Sequence, residues 1–185
     1  MGINIASPSK LLKPYIKQYW SIENVVPNGE QYVQRIIPSG LSELLIYLSP
    51  RPKITDNTKS LSENLILSGH QKEYYDILIE GNLLVFSVVF QPQGLMQFFN
   101  FPLTEIYNQN VPLKYLNKKL GQDLEQKMLE ANSFQKRVQL IEVFLMDLLK
   151  ENKNRIEFKR INYVVKLIKK TQGDVNINFL ASEAV

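Results

Sequence analysis

Hydrophobic residues in the first half of the chain fall into short runs, several of which alternate with polar residues. Runs of this kind, bounded by Pro, Gly, Asn and Ser, are typical of strands in antiparallel sheets. Six runs predict strands: 19–24, 32–37, 43–48, 65–68, 75–79 and 83–90. Gly81-Asn82 lies between the last two runs and predicts a tight hairpin turn. The polar stretch 50–63 is predicted to be a loop.

After Gly94 the hydrophobic period changes from two residues to about three and a half, which indicates helices. Pro102 suits the first turn of a short helix over 103–108, and Ser133 is a good N-cap for a long one. Three apolar stripes mark the longer helices: Leu113, Leu116, Leu120, Leu124 and Met128; Phe134, Val138, Ile141, Leu145 and Leu148; Phe158, Ile161, Val165 and Ile168. We expect the last two stripes to face either the core or a dimer partner.

The order of these elements predicts an α+β fold. A small antiparallel β-barrel or sandwich at the N-terminus is followed by a helical C-terminal half. We divide the chain into a strand-rich region over 1–100, a helical region over 101–173 and a final segment over 174–185.

The final segment predicts the start of one more helix. Gly173 is a natural helix stop, and Asn176 is a good N-cap for a helix over Ile177–Val185. Because no Gly, Asn or Pro follows, we expect the chain to break off inside this helix, as a fragment of a longer protein would.

Composition narrows the class of protein. A hydrophobic fraction of 44% and a charged fraction of 22% are ordinary for a globular domain. The absence of cysteine excludes disulfides and thiolate chemistry and suits a reducing cytoplasm. The N-terminus has no signal-peptide core, and no apolar run is long enough to span a bilayer. We therefore expect a cytoplasmic protein without membrane contact.

The positive charge is concentrated near the C-terminus. The net charge is +4, and residues 150–185 carry eight basic and four acidic side chains, whereas residues 1–149 balance. A basic segment favours polyanions. A solvated helix face is the commoner cause of such a pattern, so charge alone does not identify a partner.

Candidate catalytic chemistry is sparse. The single histidine, His70, is too little for a zinc or iron site. No G-x-G-x-x-G, P-loop or G-x-S-x-G motif is present. We predict no metal, no cofactor and no enzymatic activity. One histidine still suffices for a Ser-His-carboxylate triad, although an ordinary turn position is the commoner role.

Two features suggest a ligand site. A turn at Pro38-Ser39-Gly40 would place Arg35 opposite Glu43, where the pair either orients a polar ligand or forms an ordinary surface ion pair. We favour the surface pair. The first half is also dense in aromatic residues, which build both small-molecule pockets and, more commonly, cores.

Several short motifs occur in order along the chain: Pro14-Tyr15-Ile16, Tyr19-Trp20, Pro38-x-Gly40-x-x-Glu43-Leu44, Gly69, Phe90-x-Pro92-x-Gly94, Leu140-x-x-x-Phe144-Leu145 and Gly173-x-Val175-x-Ile177-x-x-Leu180-Ala181. Together they resemble the N-terminal sensory region of a subgroup of AraC/XylS-type bacterial transcription regulators. Ser39 departs from the pattern, because the family often has Asp there. The DNA-binding module expected after Val185 is missing from the chain.

The resemblance implies roles for the three regions. Region 1–100 would be an effector-binding sensor, cupin-like by analogy, and 101–173 a linker and dimerisation region. Region 174–185 would begin a helix-turn-helix domain. The partners implied are an unknown small-molecule effector, a second copy of the chain, and DNA through the missing module. The effector-binding candidates are Trp20, Arg35, Glu43, Tyr47, His70 and Phe90.

Two alternatives stay open beside the sensor: a metal-independent barrel-like enzyme and a structural oligomerisation domain without a ligand. An apolar cavity would favour the sensor. A cleft with His70 beside Ser68 and a carboxylate would favour the enzyme. A filled core with a large two-fold interface would favour the structural domain.

Overall fold

A computed structural model describes residues 2–55, 63–116, 118–151 and 155–183. The described residues form nine strands: β1 (Gly2–Ala6), β2 (Ile16–Val25), β3 (Gln31–Ile36), β4 (Glu43–Tyr47), β5 (Lys53–Ile54), β6 (Leu65–Ser68), β7 (Tyr75–Glu80), β8 (Asn82–Phe90) and β9 (Asn110–Pro112). Two short 3-10 helices, Leu95–Gln97 and Leu103–Ile106, lie between β8 and β9. Five α-helices follow: α1 (Leu113–Leu116), α2 (Lys118–Glu130), α3 (Phe134–Glu151), α4 (Arg155–Lys170) and α5 (Ile177–Glu183).

The predicted α+β class is confirmed, and all six predicted strands are present. Strands β1, β5 and β9 were not predicted. β5 lies inside the predicted loop 50–63, of which residues 56–62 are outside the described part of the chain. β9 joins the sheet from within the predicted helical region. Leu120 was predicted to belong to the apolar stripe of α2, and its side chain lies outside the described part of the chain. The same is true of the last two residues of the predicted helix Ile177–Val185.

The strands form two antiparallel sheets. The large sheet has the order β1-β2-β8-β4-β6-β9, and the small sheet has the order β3-β7-β5. No ladder joins the two sheets among the described strands, which is the arrangement of a sandwich; a cupin-like closed barrel stays a prediction. The hairpin predicted at Gly81 is wrong, because β7 and β8 belong to different sheets. Gly81, with φ +73°, forms the corner between them.

The large sheet has two different faces. Side chains alternate along a strand, so Leu44 and Ile46 of β4 point to one face, and Glu43 and Tyr47 point to the other. The first face packs against the helices and forms the main core, in which Phe86 and Phe90 are fully buried. The second face is directed towards the small sheet.

Helix α3 seals the main core. Its stripe residues Ile141 and Leu145 are fully buried, and the ring of Phe134 lies 5.7 Å from that of Phe86. Ser133 Oγ accepts the Lys136 N–H at 3.2 Å, which confirms the predicted N-cap. The α3 stripe therefore faces the core.

The helix signals near the C-terminus are confirmed as well. Gly173 ends α4 with φ +89°, and its N–H donates to the Ile168 carbonyl at 2.9 Å. Asn176 Oδ1 accepts the Asn178 N–H at 2.7 Å and so caps α5. α5 buries no side chain. In the described ranges, no helix has the length and apolar character needed to cross a membrane.

Two glycines allow close backbone approaches. A Cβ on Gly94 would lie 1.9 Å from the Tyr15 carbonyl oxygen, which accepts the Gln91 N–H at 2.8 Å. A Cβ on Gly69 would lie 1.9 Å from the Ile106 carbonyl oxygen. The first contact shows that the Pro14-Tyr15 and Phe90-x-Pro92-x-Gly94 segments pack directly against each other.

Candidate ligand cavity between the two sheets

A cavity of about 140 Å³ lies between the two sheets. Its walls come from β2, β4 and β8 of the large sheet, from β3 and β7 of the small sheet, and from the loop that joins β3 to β4. An apolar cavity of roughly 150 Å³ holds a benzene-sized molecule. Much of the lining is aliphatic and includes Ile22, Ile36, Leu45, Ile77, Leu83 and Val85. The space therefore fits a single ring or a short chain.

Glu43 places a carboxylate on this apolar wall. It is half-buried at the start of β4, where it pairs in register with Ser68 of β6. The Ser87 hydroxyl donates to Glu43 Oε2 at 2.7 Å, and the Trp20 indole N–H also donates to the carboxylate. Burial raises the pKa of Glu43, although these two hydrogen bonds and the charge of Lys17 oppose the rise.

Two phenols face the same space. Burial raises the pKa of both Tyr47 and Tyr75, so both are neutral hydroxyls at physiological pH. The nearby charge of Arg51 opposes the rise for Tyr47, and a hydrogen bond with Asn110 opposes it for Tyr75. Each hydroxyl can donate or accept one hydrogen bond to a ligand.

Ser68 and Gln71 close one end of the cavity. Gln71 Nε2 donates to the Gln109 carbonyl at 3.1 Å and to Ser68 Oγ at 3.3 Å. His70 does not line the cavity, and its buried Nε2 has no hydrogen-bond partner. The described residues therefore show no Ser-His-carboxylate relay at Ser68.

The structure brings three of the six predicted site residues together. Trp20, Glu43 and Tyr47 lie on one wall of the cavity, and their contact with a ligand stays a prediction. Phe90 is fully buried on the opposite face of the sheet, with its ring 5.7 Å from that of Phe98.

Arg35 lies outside the cavity, and its predicted pairing with Glu43 is wrong. β3 pairs with β7 rather than with β4, because residues 37–42 carry the chain from the small sheet to the large one. Arg35 instead forms a two-pronged ion pair with Asp76, at 2.9 and 3.0 Å. Its guanidinium also lies 4.0 Å from the centre of the Tyr74 ring. The Arg35–Asp76 pair is therefore an ordinary surface ion pair on the outer face of the small sheet.

Sequence reasoning missed Ser87 and Tyr75 as cavity residues. Ser87 is the only polar residue within the apolar run 83–90. A single hydroxyl in a buried strand needs a hydrogen-bond partner. The sequence therefore already indicated that Ser87 contacts another polar group. Tyr75 carried no such signal, since an aromatic residue at a strand end suits a core equally well.

The described residues contain no candidate metal site. No group of three or more His, Asp or Glu side chains there is arranged to hold a metal ion. The cavity instead offers one carboxylate, two phenols and apolar walls, which together suit non-covalent binding of a small molecule.

Residues 4–112 match a family model described as "Domain of unknown function (DUF6597)". The chain belongs to the DUF6597 family. The DUF6597 match begins within β1 and ends with the last residue of β9, so it coincides with the two-sheet sandwich. Every residue that lines the cavity lies inside it. No curated protein and no solved structure matches the chain.

Proposed function

We propose that the sandwich is the effector sensor of an AraC/XylS-type transcription regulator. The cavity between the sheets is the observation that carries the proposal, because its apolar walls and few convergent polar groups are the usual make-up of a small-molecule site. The ordered motifs quoted above connect the chain to that regulator family. The effector is an unidentified small molecule of about one ring in size.

The large sheet supplies a route from the cavity to the helices. Trp20 faces the cavity, whereas its neighbour Tyr19 faces the helical core. The Tyr19 hydroxyl donates to Glu142 Oε1 on α3 at 3.2 Å, and the same oxygen accepts the Ser9 N–H at 2.7 Å. A ligand that favours one position of β2 would thereby favour one position of α3, which is a population shift between two arrangements.

Helix α4 extends the route towards the C-terminus. Gln93 Nε2, in the loop after β8, donates to Asn162 Oδ1 on α4 at 2.7 Å. The Tyr15 and Phe158 rings also lie 4.7 Å apart. α4 leads through Gly173 to α5, which the resemblance assigns to the first helix of a helix-turn-helix domain. In this proposal the regulator works in the cytoplasm as a homodimer and reaches DNA through the module after α5.

Val85→Phe tests the sensor. The larger side chain would fill the cavity, so we expect the variant to lose ligand binding while it still folds. The chain has one tryptophan, Trp20, and it lines the cavity. Its fluorescence can therefore be titrated with a series of ring-sized probes, and at least one probe should give a saturable change with the unaltered chain. Val143→Phe is the matched control, because Val143 is 56% exposed on α3. A saturable response that survives Val85→Phe would contradict the sensor, as would the absence of any response.

A gel-shift experiment tests the proposal that DNA is bound by the module after α5 and not by residues 1–185. We expect residues 1–185 to show no site-specific retardation of duplex DNA, because only the first helix of the proposed module is present. If the coding sequence continues after Val185 into such a module, the extended protein should bind, with an affinity that falls steeply as salt rises. Site-specific binding by residues 1–185 alone would refute this assignment, and so would a downstream sequence without helix-turn-helix units.

A further inference from the structure

The residues that line the cavity carry formal charge of one sign, and Arg51, whose charge acts on Tyr47, lies outside the lining. Among the described residues that line it, the ionisable side chains are Glu43, Tyr47 and Tyr75, with no Lys, Arg or His. Both phenols are neutral at physiological pH, because burial raises their pKa values. The only formal charge that this lining can carry is therefore the negative charge of Glu43.

The Glu43 carboxylate has room for a further donor. An ionised carboxylate offers about four lone-pair positions. Ser87 and Trp20 each supply one hydrogen bond. Since the carboxylate also lines the cavity, a donor on a ligand can meet it directly. Such a charge-assisted bond is about twice as strong as one between neutral groups.

Aromatic rings share the cavity with this acceptor. Trp20 lies on β2, Tyr47 on β4 and Tyr75 on β7, so rings from both sheets line the cavity that contains the carboxylate. The face of an aromatic ring attracts a cation electrostatically. A carboxylate among aromatic rings is complementary to an ammonium group. A carboxylate ligand would instead put two negative charges side by side, which is unfavourable.

We propose that the cavity selects a compact organic cation: an amine on a body of one ring or a short chain, with its ammonium group directed at Glu43. This inference rests on the proposed sensor function and specifies the chemical class of its effector. The aliphatic lining contacts the apolar body of the ligand, and Glu43 and the aromatic rings bind its ammonium group.

Three probes of the same size separate charge from shape: benzylamine, benzyl alcohol and benzoate. We expect Trp20 fluorescence and calorimetry to show benzylamine binding at least about tenfold more tightly than benzyl alcohol, which is the usual worth of a hydrogen bond to a charged group. Benzoate should bind least. Glu43→Gln should remove the preference for benzylamine. Glu80→Gln, an exposed change of the same chemistry on the small sheet, should leave it intact.

The pH dependence gives a second measurement that needs no variant. Benzylamine stays cationic as the pH is lowered, so its affinity should fall as Glu43 becomes protonated. The charged or titratable groups that act on Glu43 are Lys17 on β2, Tyr47 on β4 and Tyr75 on β7. Burial raises the pKa of both phenols, so neither loses its proton below neutral pH, and the transition belongs to Glu43.

Several results would overturn the inference. These are equal or tighter binding of benzoate or benzyl alcohol, no binding of benzylamine, an amine preference that survives Glu43→Gln, or a benzylamine affinity that does not fall in acid. If benzoate or benzyl alcohol binds and Val85→Phe abolishes that binding, the sensor function stands and only the cation fails. If Val85→Phe leaves the binding of every probe unchanged, the sensor function fails instead.

Discussion

At the scale of single residues, Glu43 is a carboxylate whose burial opposes its ionisation. The carboxylate occupies a strand position where an apolar side chain would pack well. Burial raises its pKa, so the folded state resists its ionisation. A group of this kind costs stability in the empty protein. A ligand that compensates the charge removes that cost, which is a common property of binding sites.

Glu43 should make the stability of the protein depend on pH. Its pKa in the folded state lies above the ordinary value of 4.5. The unfolded chain therefore ionises first as the pH rises, and stability is lost until the folded pKa is passed. We expect the melting temperature of Glu43→Gln, relative to that of the unaltered chain, to rise as the pH is raised from below 4.5 towards neutral. Thermal melts at a series of pH values measure this.

Glu80→Gln is the control of opposite sign. A hydrogen bond from Lys53 lowers the pKa of Glu80. The unaltered chain therefore gains stability relative to this variant as the pH rises from the lowered folded pKa to the ordinary value of 4.5, and it keeps that stability at higher pH. If the relative melting temperatures of the two variants changed with pH in the same direction, the pH dependence could not be assigned to Glu43.

At the scale of elements, the position of a helix in the fold decides what its cap is worth. Ser133 caps α3, which buries Ile141 and Leu145 in the main core. Asn176 caps α5, which buries no side chain. The two caps use the same chemistry, a side-chain oxygen that accepts a backbone N–H, but only the first is coupled to global folding.

Ser133→Ala should lower the free energy of unfolding by about 1 kcal/mol. Asn176→Ala should leave it unchanged within roughly 0.5 kcal/mol, because α5 can fray without opening the core. Urea unfolding followed by Trp20 fluorescence measures both. Equal effects of the two substitutions would show that α5 is part of the cooperative unit.

Secondary-structure elements were easier to predict from the sequence than the pairing of the strands. Six of the nine described strands and the longer helices could be predicted, since periodicity and caps are properties of a few neighbouring residues. The partner of β3 could not. Pro38-Ser39-Gly40 suits a tight turn, and nothing local distinguishes a hairpin from a crossing to the other sheet. The same holds for Gly81, whose left-handed φ fits either connection.

At the scale of the whole molecule, the large sheet is the wall shared by cavity and helices. The hydrogen bond from Tyr19 to Glu142 crosses from β2 to α3 within this architecture. Tyr19 is fully buried, and burial raises the pKa of its hydroxyl, as does Glu142. A buried bond to a charged acceptor contributes more than an exposed one.

A double-mutant cycle measures that link. Combining Tyr19→Phe with Glu142→Ala should give a coupling energy of roughly 1–3 kcal/mol. Tyr163 and Glu183 are a matched Tyr–Glu pair between α4 and α5, with an O–O distance of 2.9 Å, but they are exposed. Their coupling should be much weaker than that of Tyr19 and Glu142, because exposed pairs contribute little. Additive effects at Tyr19 and Glu142 would remove this bond from the proposed route.

The sequence by itself determined the α+β order, the helix caps and the two-sided pattern of the strands, because each depends on contacts within a few residues. Tertiary structure decided which strands pair and which face meets which neighbour. Trp20 and Phe90 are both aromatic residues on adjacent strands, yet one lines the cavity and the other the core. Alternation separates two faces without saying what covers each. Only the packing of distant segments, at the entropic cost of closing long loops, settles that choice.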